Sequence, residues 1–139
     1  MTNISACDII YIVNRYNNTR YNGGLYKMNN PALTEAVYYI LLSLIEPMHG
    51  YGIMQNVEKL SGGRVKLAAG TLYGAISSML EKGWIRALGE SSGTSAQDSR
   101  GKKEYRITPE GCDVLKGEII RLTELLENGK KVLEKEADK

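Results

Sequence analysis

A regular apolar seam near the C-terminus constrains the fold of this 139-residue sequence more than any other feature. Its members stand at alternating intervals of three and four: Cys112, Leu115, Ile119, Leu122, Leu126, Gly129 and Leu133. This is the a/d spacing of a coiled coil, and it persists for about three heptads. We therefore expect one long helix over residues 109–139, with Thr108 as its N-cap and Pro109 at its first position.

Turn signals divide the chain upstream of the seam into short elements. The predicted order is a helix from Pro31 to Pro47, a helix at 50–60, a small strand at 64–67, a helix at 69–82, and a hairpin with strands at 84–88 and 102–108 around a loop at 90–101. This order predicts a mainly α chain with a small β-hairpin, that is, a winged helix-turn-helix plus a C-terminal dimerisation helix. The predicted core includes Tyr38, Tyr39, Tyr51, Met54 and Leu60.

The predicted domains are a winged helix over residues 31–108 and a C-terminal helix over 109–139, preceded by an extension over residues 1–30. The extension is rich in asparagine and shows no long amphipathic period, so we expect it to be poorly ordered or to result from a misassigned start, with Met28 as an alternative start. The upstream helices and hairpin would close a small core and leave the seam uncovered. We therefore predict a homodimer, instead of a helix packed on its own domain, with an interface of Leu115, Ile119, Leu122, Leu126 and Leu133.

Composition excludes several classes of protein. With 42% apolar and 24% charged residues, the chain suits one globular domain and lacks the signature of disorder. The longest apolar run is about half of the ~20 residues that span a bilayer, and no signal peptide opens the chain, so we expect a cytoplasmic protein without a membrane partner. Two cysteines and one histidine fit neither a disulfide framework nor a Cys2His2 zinc site, and we predict no metal and no cofactor.

The predicted third helix separates its residues into two faces. Its apolar residues share one face, and the opposite face carries Gly70, Thr71, Gly74, Ser77 and Ser78. Solvated helix faces favour Glu, Lys and Gln over Gly, so this face indicates a surface that another molecule approaches closely, although an ordinary solvated face is the alternative. Tyr73 lies at the border, where it either joins the core or buries its ring and offers its hydroxyl to a phosphate.

Basic residues flank this helix. Residues 64–106 carry eight basic and four acidic side chains. Arg64 and Lys66 precede the helix, and Arg100, Lys102 and Lys103 crowd the hairpin loop. Each run alone is usually a solvated face, but two runs around a small-residue helix indicate a polyanion partner. A helix fits the major groove of DNA, and a basic hairpin loop reaches the phosphates beside it.

We therefore predict a DNA-binding surface formed by Arg64, Lys66, Thr71, Tyr73, Gly74, Ser77, Ser78, Arg100, Lys102 and Lys103. The alternative is a winged helix that binds protein and not DNA. An enzyme is not expected, because the sequence shows no nucleophile elbow, phosphate loop or acid–base pair. The single histidine, His49, stands apart from any cluster of metal ligands and is assigned a structural role.

Five segments in order resemble the PadR family of bacterial transcriptional regulators: Leu33-Thr34-Glu35, His49-Gly50-Tyr51-Gly52-Ile53, Gly70-Thr71-Leu72-Tyr73, Leu80-Glu81-Lys82-Gly83-Trp84-Ile85, and Glu104-Tyr105-Arg106-Ile107-Thr108-Pro109-Glu110-Gly111. The resemblance covers residues 33–139 and is to members with a single short C-terminal helix. It implies a homodimeric repressor, released from its promoter by a small molecule such as a phenolic acid or an amphipathic drug. It also implies that Thr71 and Tyr73 face DNA and that the loop around residues 100–103 is the wing.

The sequence departs from the family pattern at three positions of the third helix. Ala68-Ala69 replaces the usual Ser-Pro and removes an expected N-cap, Gly74 replaces a proline, and Ser78 replaces a basic or long polar residue. The last helix also contains no aromatic residue. An effector site built as an aromatic sandwich on that helix is therefore not expected here.

Overall fold

The computed structural model describes residues 32–88 and 103–138, which contain four helices and one three-stranded sheet. The helices are α1 (Glu35–Ser43), α2 (Gly50–Leu60), α3 (Ala69–Glu81) and α4 (Pro109–Ala137), and the strands are β1 (Met48–His49), β2 (Ile85–Ala87) and β3 (Glu104–Ile107). The expected class, mainly helical with a small hairpin in a winged helix arrangement, is confirmed.

The chain divides into two units. The winged-helix unit spans Leu33–Leu115, and the described part of the C-terminal unit is residues 116–138 of α4. The predicted N-terminal extension and the predicted hairpin loop lie outside the described residues.

The sheet has β3 at its centre, between β1 and β2. Both pairings are antiparallel, and they place Met48 opposite Tyr105 and Ile85 opposite Ile107. β1 was not predicted, because two residues are too few to show an alternating pattern. The small strand expected at 64–67 is wrong: this stretch is irregular chain between α2 and α3 and pairs with no strand among the described residues.

Local capping sets where the helices begin and end. α1 begins at Glu35 and not at Pro31, because Thr34 is its N-cap and Thr34 Oγ1 accepts a hydrogen bond from the amide of Val37 at 3.2 Å. It ends at Ser43, before the predicted stop at Pro47. The predicted bounds of α2 are confirmed, and the chain leaves it through Gly62 and Gly63, whose φ angles of 64° and 83° favour glycine.

The core of the winged-helix unit draws side chains from all three of its short helices, from the sheet and from the start of α4. Its buried apolar residues are Ile40, Leu41, Leu44, Ile53, Val57, Leu72, Ile76, Met79, Ile85, Tyr105, Ile107, Cys112, Val114 and Leu115. The assignment of Tyr51 and Leu60 to the core is wrong. Tyr51 is 68% exposed because it lies in the first turn of α2 on the side opposite Ile53, and Leu60 is exposed because α2 ends there. Tyr38, Tyr39 and Met54 are half-buried.

Thr108 joins three elements at the base of the hairpin. Its amide donates to the carbonyl of Trp84 at 2.9 Å, and its hydroxyl donates to the carbonyl of Gly83 at 2.6 Å. The same hydroxyl accepts from the amide of Gly111 at 3.1 Å, which confirms Thr108 as the N-cap of α4. A Cβ on Gly111 would lie 2.0 Å from the carbonyl oxygen of Trp84, so this close approach of α4 to β2 requires glycine.

The seam of α4 changes character along its length. Cys112 and Leu115 are buried within their own chain, whereas exposure rises from 40% at Leu122 to 70% at Leu133. The apolar surface open to a partner therefore begins near Leu122, and the predicted interface stays a prediction. No helix in the described ranges is both long and apolar enough to cross a membrane.

A charged pair lies beside this seam in the C-terminal unit. Glu118 is buried and accepts a hydrogen bond from Arg121 Nε at 3.2 Å, one turn further along α4. The hydrogen bond to Glu118 raises the pKa of Arg121 above its already high value. The ion pair gives the buried carboxylate of Glu118 a basic partner on its own helix.

Candidate nucleic-acid interface

The outward face of α3 consists of small residues. Leu72, Ile76 and Met79 are buried, and the small residues on the opposite side are exposed: Gly70, Thr71, Gly74, Ser77 and Ser78. A Cβ built on Gly70 or Gly74 meets no atom within 4 Å. Packing within the chain therefore does not require glycine at these positions, although each glycine costs about 0.8–1 kcal/mol of helix stability relative to alanine. The face is open to close approach by another surface.

The start of α3 lacks the side-chain cap that helices usually have. Its N-cap residue is Ala68, which has no side chain able to accept a hydrogen bond from the first-turn amides. Such a missing cap costs about 1 kcal/mol. The missing cap and the two glycines therefore make α3 less stable than a capped helix with alanine at both positions.

Tyr73 joins α3 to the start of α2. Its side chain is 39% exposed, and its hydroxyl lies so near α2 that a Cβ on Gly50 would be 2.5 Å from Oη. Tyr105 of β3 lies close enough to Tyr73 to interact with it electrostatically. Burial raises the pKa of Tyr105 above its ordinary value, and the nearby Tyr73 raises it further. The hydroxyl end of Tyr73 therefore lies against the start of α2.

The basic residues predicted to bind DNA divide into three groups. Arg64 forms an ion pair with Glu35, and Lys66 Nζ lies 3.8 Å from Glu58 Oε1, with both basic side chains mostly exposed. Exposed pairs of this kind are worth about 0–1 kcal/mol, so a phosphate could replace either carboxylate at little cost. Lys103 is exposed beside β3, and Arg100 and Lys102 lie outside the described residues.

Two further basic residues of the hairpin strands, Arg86 and Arg106, were not among the predicted site residues. They stand directly opposite each other on β2 and β3. The signal that reveals them is the strand register, which the sequence alone does not provide. Tyr51, next to Gly50 in the chain, is also exposed, although it was predicted to lie in the core.

The one histidine has a structural setting. His49 occupies the N-cap position of α2, but its side chain makes no capping hydrogen bond. Its Nε2 lies 3.8 Å from Glu104 Oε1 on the neighbouring strand. Within the described ranges, no group of three or more His, Cys, Asp or Glu side chains is placed to hold a metal ion.

Comparison with protein families assigns most of the described winged-helix unit to one family model. The model of the family described as "Transcriptional regulator PadR-like family" matches residues 40–117, which is more than half of the chain. Among curated proteins, the chain is 30% identical over 92 residues to an uncharacterised 37.1 kDa protein in a transposon of Streptomyces fradiae. That match covers 66% of this chain and only 24% of the relative.

Solved structures with the same fold include two transcriptional regulators. A transcriptional regulator from Clostridium thermocellum is 30% identical, with a TM-score of 0.53 over 72% of this chain and 87% of that one. A PadR family transcriptional regulator from Eggerthella lenta is 24% identical, with a TM-score of 0.57 over 93% of this chain and 98% of that one.

Proposed function

The chain belongs to the PadR-like family of transcriptional regulators, and from this premise we propose that it is a homodimeric repressor that binds operator DNA and is released by a small molecule. Members of this family are DNA-binding proteins and not enzymes. The part of the proposal that is specific to this chain is how the DNA is held.

The observation that carries the proposal is the small-residue face of α3. Gly70 and Gly74 are exposed with open space beyond them, so they serve nothing inside the chain. In a winged helix, this helix enters the major groove, where glycine lets the backbone approach the base edges closely. Ser77 and Ser78 then offer hydroxyls to bases or phosphates, and Tyr73 offers its hydroxyl at the edge of the same face.

Dimerisation is supported by the exposed part of the seam. Leu122, Leu125, Leu126, Val132 and Leu133 are all exposed and lie on one helix. A second copy would cover this stripe and bring a second α3 to the DNA. Two such helices would read half-sites about one helical turn apart, which predicts an operator with two-fold symmetry.

Release by a small molecule rests on family membership and not on a binding site in the described residues. The chemical class we propose is a small apolar or phenolic compound. Selected phenolic acids and amphipathic drugs should therefore be added to a preformed complex of the dimer with its operator, and dissociation should be followed by fluorescence anisotropy.

Selection of bound fragments from random or genomic DNA tests DNA binding and supplies the operator in one experiment. Anisotropy with that operator then compares Ser77→Leu with the matched variant Ser77→Ala. Leucine fills the space that close approach needs, so it should weaken the operator more than random duplex, while alanine keeps the space and should retain specificity.

Two results would contradict the proposal. If no duplex is retained at low salt, the surface serves a protein partner, which is the alternative function for a winged helix. If Ser77→Leu leaves the preference for the operator unchanged, α3 does not enter the groove with this face.

A further inference from the structure

A short stretch of α4, residues 116–121, is covered on every side within a single chain. None of these residues is exposed: Gly117 and Glu118 are buried, and the others are half-buried. A surface helix normally keeps a polar face in water, and α4 does so just before this stretch, where Glu110 and Asp113 are exposed. The covered stretch therefore contacts other parts of the chain on more than one side.

Gly117 shows that two of the covered sides are opposite each other. Successive residues of an α-helix are about 100° apart, so Gly117 lies about 200° around α4 from Leu115. Leu115 is fully buried and belongs to the core of the winged-helix unit. The residues that cover Gly117 therefore contact α4 on the side away from that core.

Burial is not a general property of the helical glycines in this chain. Gly70, Gly74 and Gly129 also lie in helices, and all three are exposed. A Cβ on any of them meets no atom within 4 Å. Neighbours on the same helix therefore do not bury a glycine by themselves. Gly117 requires a covering segment, and its missing side chain lets that segment approach the helix backbone closely.

Composition identifies which segment can provide this cover. The described residues beyond Leu115 are α4 itself and its end, so the cover comes from chain outside the described ranges. Apart from the last residue, that chain consists of residues 1–31 and 89–102. Residues 89–102 contain a single apolar side chain, Ala96, and cannot supply an apolar cover. Residues 1–31 contain the apolar run Ile9-Ile10-Tyr11-Ile12-Val13.

We infer that residues 1–31 dock on the covered stretch of α4 in the same chain, with the run at residues 9–13 against the side that carries Gly117. The half-buried Ile119 and Ile120 give this stretch apolar surface for the run to cover. A second copy is not needed, because Gly117 is buried within one chain, and the leucines exposed from Leu122 onward stay open to that copy. The docked segment replaces the expectation of a poorly ordered extension and does not depend on DNA binding.

Photo-crosslinking tests which part of the chain covers Gly117. A benzophenone amino acid takes the place of Glu124, which is exposed and lies about two turns beyond Gly117 on the same side of α4. The control carries the same group in place of Lys135, on that side but about 27 Å beyond Gly117. Isotope-labelled and unlabelled chains are mixed, so mass spectrometry separates crosslinks within a chain from crosslinks between copies. We expect the first protein, and not the control, to crosslink to residues 9–13 of its own chain.

Hydrogen exchange tests the contribution of the apolar run. A four-serine variant of the full-length chain replaces its aliphatic residues: Ile9→Ser, Ile10→Ser, Ile12→Ser and Val13→Ser. The matched control replaces four nearby asparagines: Asn14→Ser, Asn17→Ser, Asn18→Ser and Asn22→Ser. In the four-serine variant the amides of residues 117–121 should exchange about tenfold faster or more, because opening of α4 no longer separates apolar surfaces. In the control they should exchange at the wild-type rate.

A double-mutant cycle connects the run to Gly117 itself. Gly117→Gln places a long polar side chain beneath the cover, so it should lower the melting temperature of the wild type by about 2–6 °C. It should not lower that of the four-serine variant, in which the cover is lost. Gly129→Gln, at an exposed helical glycine, should shift the melting temperature equally in both backgrounds.

Three results would overturn the inference. The first is a crosslink from position 124 to the winged-helix unit or to another copy instead of residues 1–31. The second is wild-type exchange of the α4 amides in the four-serine variant, and the third is an equal effect of Gly117→Gln in both backgrounds. If the four-serine variant does not fold, the crosslinking result, obtained on a chain with the apolar run intact, decides alone.

Discussion

Replacing Gly50 by alanine should separate DNA binding from stability, because the new methyl group meets the hydroxyl of Tyr73. The added Cβ would lie 2.5 Å from Oη, whereas ordinary contact begins at 3.4 Å, so the hydroxyl must move by about 0.9 Å. Tyr73 is partly exposed and lies at the surface, so its ring can yield by a small rotation. The strain should cost no more than about 1 kcal/mol, and the better helix propensity of alanine offsets it.

The effect on DNA binding should be larger than the effect on folding. A displacement of about 0.9 Å lengthens a hydrogen bond of about 2.9 Å to a phosphate beyond the range in which it stabilises the complex. Hydrogen bonds to charged groups contribute about 1.5–3 kcal/mol, so the lower end predicts roughly tenfold weaker binding for each subunit. Urea unfolding should show a change in the free energy of unfolding within about 1 kcal/mol, and anisotropy with the operator should show the weaker binding.

A double-mutant cycle with Tyr73→Phe identifies the route of the effect. Without Oη, the atom nearest to the new Cβ is Cζ at 3.0 Å, and the hydroxyl that would contact DNA is already gone. Gly50→Ala should therefore have almost no further effect on DNA binding in the Tyr73→Phe background. An equal decrease in affinity in both backgrounds would refute the reasoning and would indicate that the backbone of Gly50 itself approaches DNA.

Three other substitutions test separate parts of the structure. Leu122→Asp places a charge in the exposed seam, so light scattering should show loss of the dimer, and an unchanged dimer would assign that seam to another role. Gly111→Ala should lower the free energy of unfolding by several kcal/mol, because the rigid carbonyl of Trp84 lies 2.0 Å from the new Cβ; a change below 1 kcal/mol in urea unfolding would contradict this. The raised pKa of Tyr105 means that the folded chain holds this proton more tightly than the unfolded chain, so stability should fall as pH rises above about 10, and less steeply in Tyr105→Phe, as measured by urea unfolding at each pH.

The elements that depend on neighbours along the chain can be predicted from the sequence. α2 and the stop at Gly83, whose φ is 76°, follow from local apolar spacing and from glycine at a position with positive φ. The N-cap role of Thr108 is likewise readable from Thr108-Pro109. The two faces of α3 follow from a helical wheel, and burial of Leu72, Ile76 and Met79 confirms them.

What could not be predicted depends on contacts between distant residues. β1 forms because Met48 and His49 pair with β3. A segment of two residues carries no sequence pattern that predicts this pairing. The stretch at 64–67 alternates like a strand but finds no neighbouring strand among the described residues. The pairing of Arg86 with Arg106 depends on the strand register. Both residues contribute to the basic charge of residues 64–106, but the sequence does not show that they are opposite each other.

The central position of β3 has a consequence for synthesis of the chain on the ribosome. His49 pairs with Glu104, so 55 residues must be translated after β1 before its partner strand exists. At 5–20 residues per second, this interval is roughly 3 to 11 s, during which the apolar sides of α1, α2 and α3 lack Tyr105, Ile107 and the start of α4. A nascent chain in that interval exposes apolar surface to which chaperones can bind. A transcript truncated within the hairpin would yield a product with an incomplete core.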